Sequence, residues 1–121
     1  MRSERGSASL VAVAIVVLVM VLAMGTADVA RVLTAAARAQ SAADAAALAA
    51  AQELAIPSGR EPSDVAGEYA ARNGAALVEC ACPAGAFEAV VEVRVDAGPM
   101  LLLSGERAVV AEARAIVETG G

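Results

Sequence analysis

Residues 10–24 read LVAVAIVVLVMVLAM, and residues 28–55 read DVARVLTAAARAQSAADAAALAAAQELA. How these two runs join decides the fold. No charged residue occurs between Arg5 and Asp28. A helix over residues 7–27 rises about 30 Å, the thickness of a bilayer's hydrocarbon core. In lipid the backbone has no water to bond, so this run is expected to be helical despite its β-branched valines. The second run has no Gly or Pro and is dominated by alanine, the strongest helix former. Together they predict one rod over residues 9–55, roughly 70 Å long. Gly25 offers a place to bend, and Pro57, Ser58 and Gly59 stop the helix.

Composition agrees with a chain that has little soluble core of its own. Of its 121 residues, 59% are hydrophobic, yet it has one Phe, one Tyr and no Trp. Alanine and valine bury little area per residue, so strong independent stability is not expected. The absence of His removes His-based catalytic pairs and His-containing metal sites. All nine basic residues are Arg, which removes lysine Schiff-base chemistry. A net charge of -5 argues against nucleic acid as a partner. No enzyme and no cofactor is expected.

Two readings of the apolar run compete with a membrane anchor. One is a buried helix of a soluble protein, for which the rest of the chain is too short and too alanine-rich. The other is a signal peptide with Arg2 and Arg5 as its basic region and small residues at Ala23 and Gly25, cleaved to leave a start near Thr26. The apolar core is long for a signal peptide, which favours the anchor. Arg2, Arg5 and the terminal amine outweigh Glu4, whereas Arg31 and Arg38 are balanced by Asp28 and Asp44. The positive-inside bias therefore puts the N-terminus in the cytoplasm and the C-terminal part across the membrane.

The second half reads as a small α+β unit. Ser63 or Asp64 caps a short helix over residues 65–72, and Asn73-Gly74 ends it. Strands are expected over residues 75–80, 86–96 and 107–118. In the second, Phe87, Ala89, Val91, Val93 and Val95 face inward, opposite Glu88, Glu92, Arg94 and Asp96, with Val90 the exception. In the third, Val109, Ala111, Ala113, Ala115 and Val117 share a face. Ala97-Gly98-Pro99 interrupts the second strand, and the apolar run 100–103 covers the sheet edge or touches lipid. The expected fold is a long transmembrane helix continuing into an Ala-rich helix, then a short helix and a three-stranded antiparallel sheet. Its segments are a cytoplasmic tail (1–6), the membrane helix (7–27), the Ala-rich extension (28–56) and an extracytoplasmic domain (57–121).

Candidate chemistry is sparse. Cys80 and Cys82 are too few for a metal site and lack redox-motif spacing. A tight local disulfide, an intermolecular bond and free thiols all remain open. Acidic residues read as a solvated face. The Ala-rich helix reads either as a spacer or as a docking surface for partner helices, with Gln40 and Asp44 four residues apart on one face.

Arg5-Gly6 leads the apolar run, Asp28 follows it, and residues 37–51 read ARAQSAADAAALAAA. This order resembles TadE/TadG-like proteins of tight-adherence (Flp-type) pilus assembly, and the whole chain looks like their short actinobacterial form. The resemblance covers residues 5–51. Arg5, Gly6, Asp28, Arg38, Gln40, Ser41, Asp44 and Leu48 are the positions that carry it and that it implies for helix packing. It implies a membrane-anchored, non-catalytic assembly component, with pilin-like or pilus-assembly proteins, the bilayer or further copies of the chain as partners. Processed prepilin-like members carry Glu five residues after a cleavage-site Gly. Here Gly6 is followed at that position by Val11. That departure favours an uncleaved anchor over a processed pilin.

Overall fold

The computed structural model describes residues 2–102 and 105–118. Helix α1 spans Arg2–Ala55, α2 spans Pro62–Arg72, and strands β1, β2 and β3 span Ala76–Ala81, Glu88–Pro99 and Glu106–Ile116. The α1 helix starts seven residues before the expected position and runs unbroken through Gly25. Glu4 stands in its first turn, where a carboxylate opposes the positive end of the helix dipole. Its 54 residues extend about 80 Å.

The last α1 carbonyls meet a proline, which has no N–H to donate. Glu53 closes the turn instead. Its Oε1 accepts from the Ser58 backbone N–H at 2.7 Å, the Ser58 hydroxyl at 2.6 Å and the Arg60 N–H at 3.3 Å. These donors favour the ionised form, so the Glu53 carboxyl lies below its ordinary pKa. The Ser58 hydroxyl contributes most.

Helix α2 departs from expectation at its start. Ser63 and Asp64 do not cap it; Glu61 occupies the cap position without a side-chain bond, and Pro62 opens the helix. Proline's fixed φ suits that position, and its missing N–H costs nothing there. The end is as expected. Gly74 N–H bonds Ala71 O at 3.0 Å and Ala75 N–H bonds Ala70 O at 2.9 Å. This paired closure needs the φ of +76° that Gly74 adopts.

The sheet is an antiparallel meander of order β1-β2-β3. The alternation on β2 holds from Ala89 onward: Ala89, Val91, Val93 and Val95 are buried. Phe87 is a correction. It precedes β2 and is 66% exposed, while its carbonyl accepts the Val117 N–H at 2.7 Å. Residues 97–99 also differ from expectation, because they do not break the strand. Pairing continues to Pro99↔Glu106 across a register shift between Asp96 and Gly98. Ala97 is the extra residue, and Gly98, at φ +80°, absorbs the bulge.

The sheet lies on the alanine half of α1. Ala35, Ala39, Ala42, Ala43, Ala46, Ala47, Ala50 and Ala51 are buried there, with Val65, Ala66 and Ala70 of α2 alongside. Alanine lets backbones approach closely, so the small valine sheet finds a complete second layer within its own chain. The sheet's open face carries the ion pairs Arg114–Glu88 at 3.0 Å and Arg94–Asp96 at 3.5 Å.

Candidate functional site

Two adjoining features of one helix define the candidate site: a bare apolar segment and, where that segment ends, a latch at mid-helix. The apolar segment of α1 touches nothing over most of its length. Every large side chain on it is exposed, from Leu10 at 73% to Met24 at 42%, and none of its most apolar window is buried within the fold. The buried-helix reading is therefore overturned. About 30 Å of unsheltered hydrocarbon is a surface that water disfavours and a bilayer accepts.

The latch begins one residue past the charge-free run. Asp28 is only 5% exposed. Its Oδ1 accepts the Leu101 N–H at 2.7 Å, and its Oδ2 accepts the Leu102 N–H at 2.8 Å. One turn on, the Arg31 guanidinium donates to the Pro99 carbonyl. A carboxylate and a guanidinium on one helix face thus hold the tip of the β2–β3 hairpin. The Leu102 Cδ1 would lie 3.4 Å from a Cβ placed on Gly25, so the leucine rests on the helix where it has no side chain. Between tip and helix lies an apolar groove of about 360 Å³, lined by Gly25, Asp28, Val29, Val32, Leu33 and Leu102. Of the apolar run 100–103, Leu101 and Leu102 serve this latch rather than a sheet edge. Leu103 lies outside the described residues.

The other sequence-derived positions fall into three groups. Arg5, Gly6 and Val11 lie at the start of α1, remote from the domain, and Val11 is 56% exposed. Arg38 packs its aliphatic stem on the α2 terminus; its Cδ would stand 3.1 Å from a Cβ on Gly74. Gln40, Ser41, Asp44 and Leu48 lie on the exposed face of α1, where the Gln40 amide donates to Asp44 Oδ1 at 3.0 Å. Val29 and Leu33 continue that face toward the membrane segment, at 59% and 64% exposure. Most alanines of the rod face inward, with Ala30 and Ala37 exposed, so the open side is a stripe of mixed polar, alanine and leucine character.

Cys80 and Cys82 form a disulfide with Cα atoms 5.4 Å apart, where β1 ends. Elsewhere the polar groups are surface networks. Glu68 bridges Arg60 at 2.6 Å and Arg72 at 2.5 Å, and the Arg72 guanidinium lies 4.9 Å from the Tyr69 ring centroid. The two arginines, Arg60 foremost, lower the Glu68 pKa. Glu79, Glu92 and Glu112 stand in register across the three strands. Among the described residues no group of three or more His, Cys, Asp or Glu side chains is arranged to hold a metal.

Sequence reasoning missed Arg31 and the roles of Leu101 and Leu102. The available signal was a charged pair, Asp28 and Arg31, at the end of an apolar run in a chain whose apolar turn lies far downstream. Nothing local pairs them.

The arrangement defines a class: a membrane-length apolar helix that carries, as its own continuation, a small α+β unit with no metal-holding side-chain group among the described residues. A family model described as "Putative Flp pilus-assembly TadE/G-like" matches residues 6–53. The chain thus carries a TadE/TadG-like domain over those residues, which are the apolar segment and the Ala-rich extension of α1. Comparison with curated proteins and with solved structures returned no match.

Proposed function

We propose that the chain is a membrane-anchored component of Flp-type (tight-adherence) pilus assembly or of an associated secretion system. It acts by helix packing and protein–protein contacts and performs no catalysis. Residues 7–27 cross the membrane once, with residues 1–6 in the cytoplasm and residues 57–121 on the far side. The excess of Arg2 and Arg5 over Glu4 supports that orientation. The far side is oxidising, which suits a Cys80–Cys82 disulfide.

One observation carries this reading. The family match ends where α1 ends its packing on the domain, and the matched helix turns a bare apolar surface to its surroundings in its first half. The open stripe of Gln40, Ser41, Asp44 and Leu48 is the surface offered to a pilin-like or assembly-protein helix.

Photocrosslinking residues placed at Ala37, Ser41 and Leu48 test this in native membranes. Adducts with a membrane-bound assembly protein are expected, and adducts with further copies of the chain would identify an oligomer. Recovery of an uncrosslinked soluble protein would refute the proposal. The mature N-terminus gives the companion measurement. A start at or near Met1 supports the anchor, a start near Thr26 supports a secreted binding module, and a start at Ser7 shows that prepilin processing accepts Val11.

A further inference from the structure

We propose that Leu101 and Leu102, at the described part of the β2–β3 hairpin tip, form a second lipid-contacting element, seated in the interfacial layer of the leaflet from which α1 emerges. This rests on the reading of residues 7–27 as a membrane span and adds to it a fixed posture for the domain.

The argument is one of height along α1. Asp28 is the first charged residue after the apolar run, and its two carboxylate oxygens hold the Leu101 and Leu102 amides. Leu102 reaches further back, to Gly25 inside the run itself. The tip is therefore level with the end of the hydrocarbon segment rather than above it. Headgroup layers are roughly 5–8 Å thick on each side of the core. Leu33 lies about 9 Å beyond Ala27 along the helix axis, so the groove between tip and helix spans that layer.

The chemistry matches the position. Leu101 and Leu102 remain 53% and 47% exposed, and Val29 and Leu33 on the groove wall are 59% and 64% exposed. Val29, Val32, Leu33 and Leu102 line a groove of about 360 Å³ beside the membrane exit, and Leu101 is exposed next to it. The occupant is phospholipid: acyl chain against the leucines and groove, headgroup beyond them. The tip's backbone N–H groups at Leu101 and Leu102 are already bonded to Asp28. It enters this layer without leaving those donors unsatisfied.

The chain contains no Trp, so a single introduced indole reports depth without background. The full chain is reconstituted, in parallel, in phosphatidylcholine/phosphatidylglycerol vesicles whose acyl chains carry bromine near the headgroup end or near the terminal methyl, the first reporting on Leu101→Trp and the second on Leu18→Trp. Three variants are compared: Leu101→Trp at the tip, Phe87→Trp at the far end of the sheet, and Leu18→Trp within the span. Leu101→Trp is expected to show blue-shifted emission and strong bromolipid quenching, whereas Phe87→Trp remains red-shifted and unquenched. Emission and quenching of Leu101→Trp equal to those of Phe87→Trp would overturn the inference. Leu18→Trp separates the two levels: if it is quenched while Leu101→Trp is not, the anchor stands and the tip contact falls. If neither is quenched, the anchor reading itself fails. The wild-type chain provides a check free of substitution. A diazirine lipid is expected to label residues 100–102 as well as 7–27, and labelling confined to 7–27 would overturn the proposal.

Discussion

Replacing Asp28 with Ala removes the acceptor of the hairpin latch. Two backbone donors, Leu101 N–H at 2.7 Å and Leu102 N–H at 2.8 Å, lose their partner. Hydrogen bonds to a charged group contribute about 1.5–3 kcal/mol each. Their simple sum overstates the loss, because a released tip swings outward and its amides rebond to water. With Leu101 and Leu102 half exposed already, a local loss of about 2–3 kcal/mol is expected. At tenfold per 1.4 kcal/mol, that is roughly 30- to 150-fold faster amide exchange at these two residues. Hydrogen exchange on the full chain in nanodiscs measures it directly. Val91 and Val93 are fully buried beneath the sheet, and their amides should keep wild-type protection, since the latch opens without unfolding the core. Asp28→Asn retains one carbonyl oxygen and should fall between. Unchanged exchange at Leu101 and Leu102 would refute the latch. An equal acceleration at Val91 and Val93 would show instead that Asp28 supports the whole fold.

Further substitutions probe the remaining contacts. Ala46→Leu forces bulk into a position with 0% exposure between helix and sheet; a loss of about 1–3 kcal/mol or more is expected in urea denaturation, whereas Ser41→Leu on the open face should change stability little. Gly74→Ala places a Cβ at φ +76° and 3.1 Å from the Arg38 Cδ, which should cost about 1–2 kcal/mol in the same assay. Glu92 faces Glu79 on one side and Glu112 on the other, so Glu92→Arg should raise the melting temperature through a gain of up to about 1 kcal/mol. Glu68 has a lowered pKa because Arg60, and secondarily Arg72, favour its charged form. Its stabilisation is therefore present above the unfolded carboxyl value of about 4.3 and disappears as pH falls through the folded value. The stability gap between wild type and Glu68→Gln should be open at neutral pH, closed at acid pH, and reduced by added salt.

Most of the secondary structure was legible because its causes are local. Absence of charge over residues 6–27, alanine content over residues 28–55 and alternation along β2 and β3, broken by Val90, Val110 and Ile116, each depend on neighbours a few residues away. The errors have local causes too, but ones with two outcomes. Pro62 opens α2 where Ser63 and Asp64 were candidate caps, because proline at the first helical position competes with polar capping. Gly98-Pro99 reads as a break, yet a bulge carries both residues at the end of β2.

By itself, the sequence determined that this chain has a membrane-length apolar helix, that the helix continues without interruption into an alanine rod, and that a small meander follows. Periodicity and propensity act through adjacent turns and suffice for that. Only the tertiary structure decided which face of the rod stays open. The alanines could serve a partner or the chain's own sheet, and burial of Ala39, Ala43 and Ala46 assigns them to the sheet. It also decided the purpose of Asp28. Its bonds to the Leu101 and Leu102 amides reach 73 and 74 positions along the chain. No pattern within a helical turn encodes a contact of that range; it exists because sheet packing carries the hairpin tip back to the end of the apolar segment.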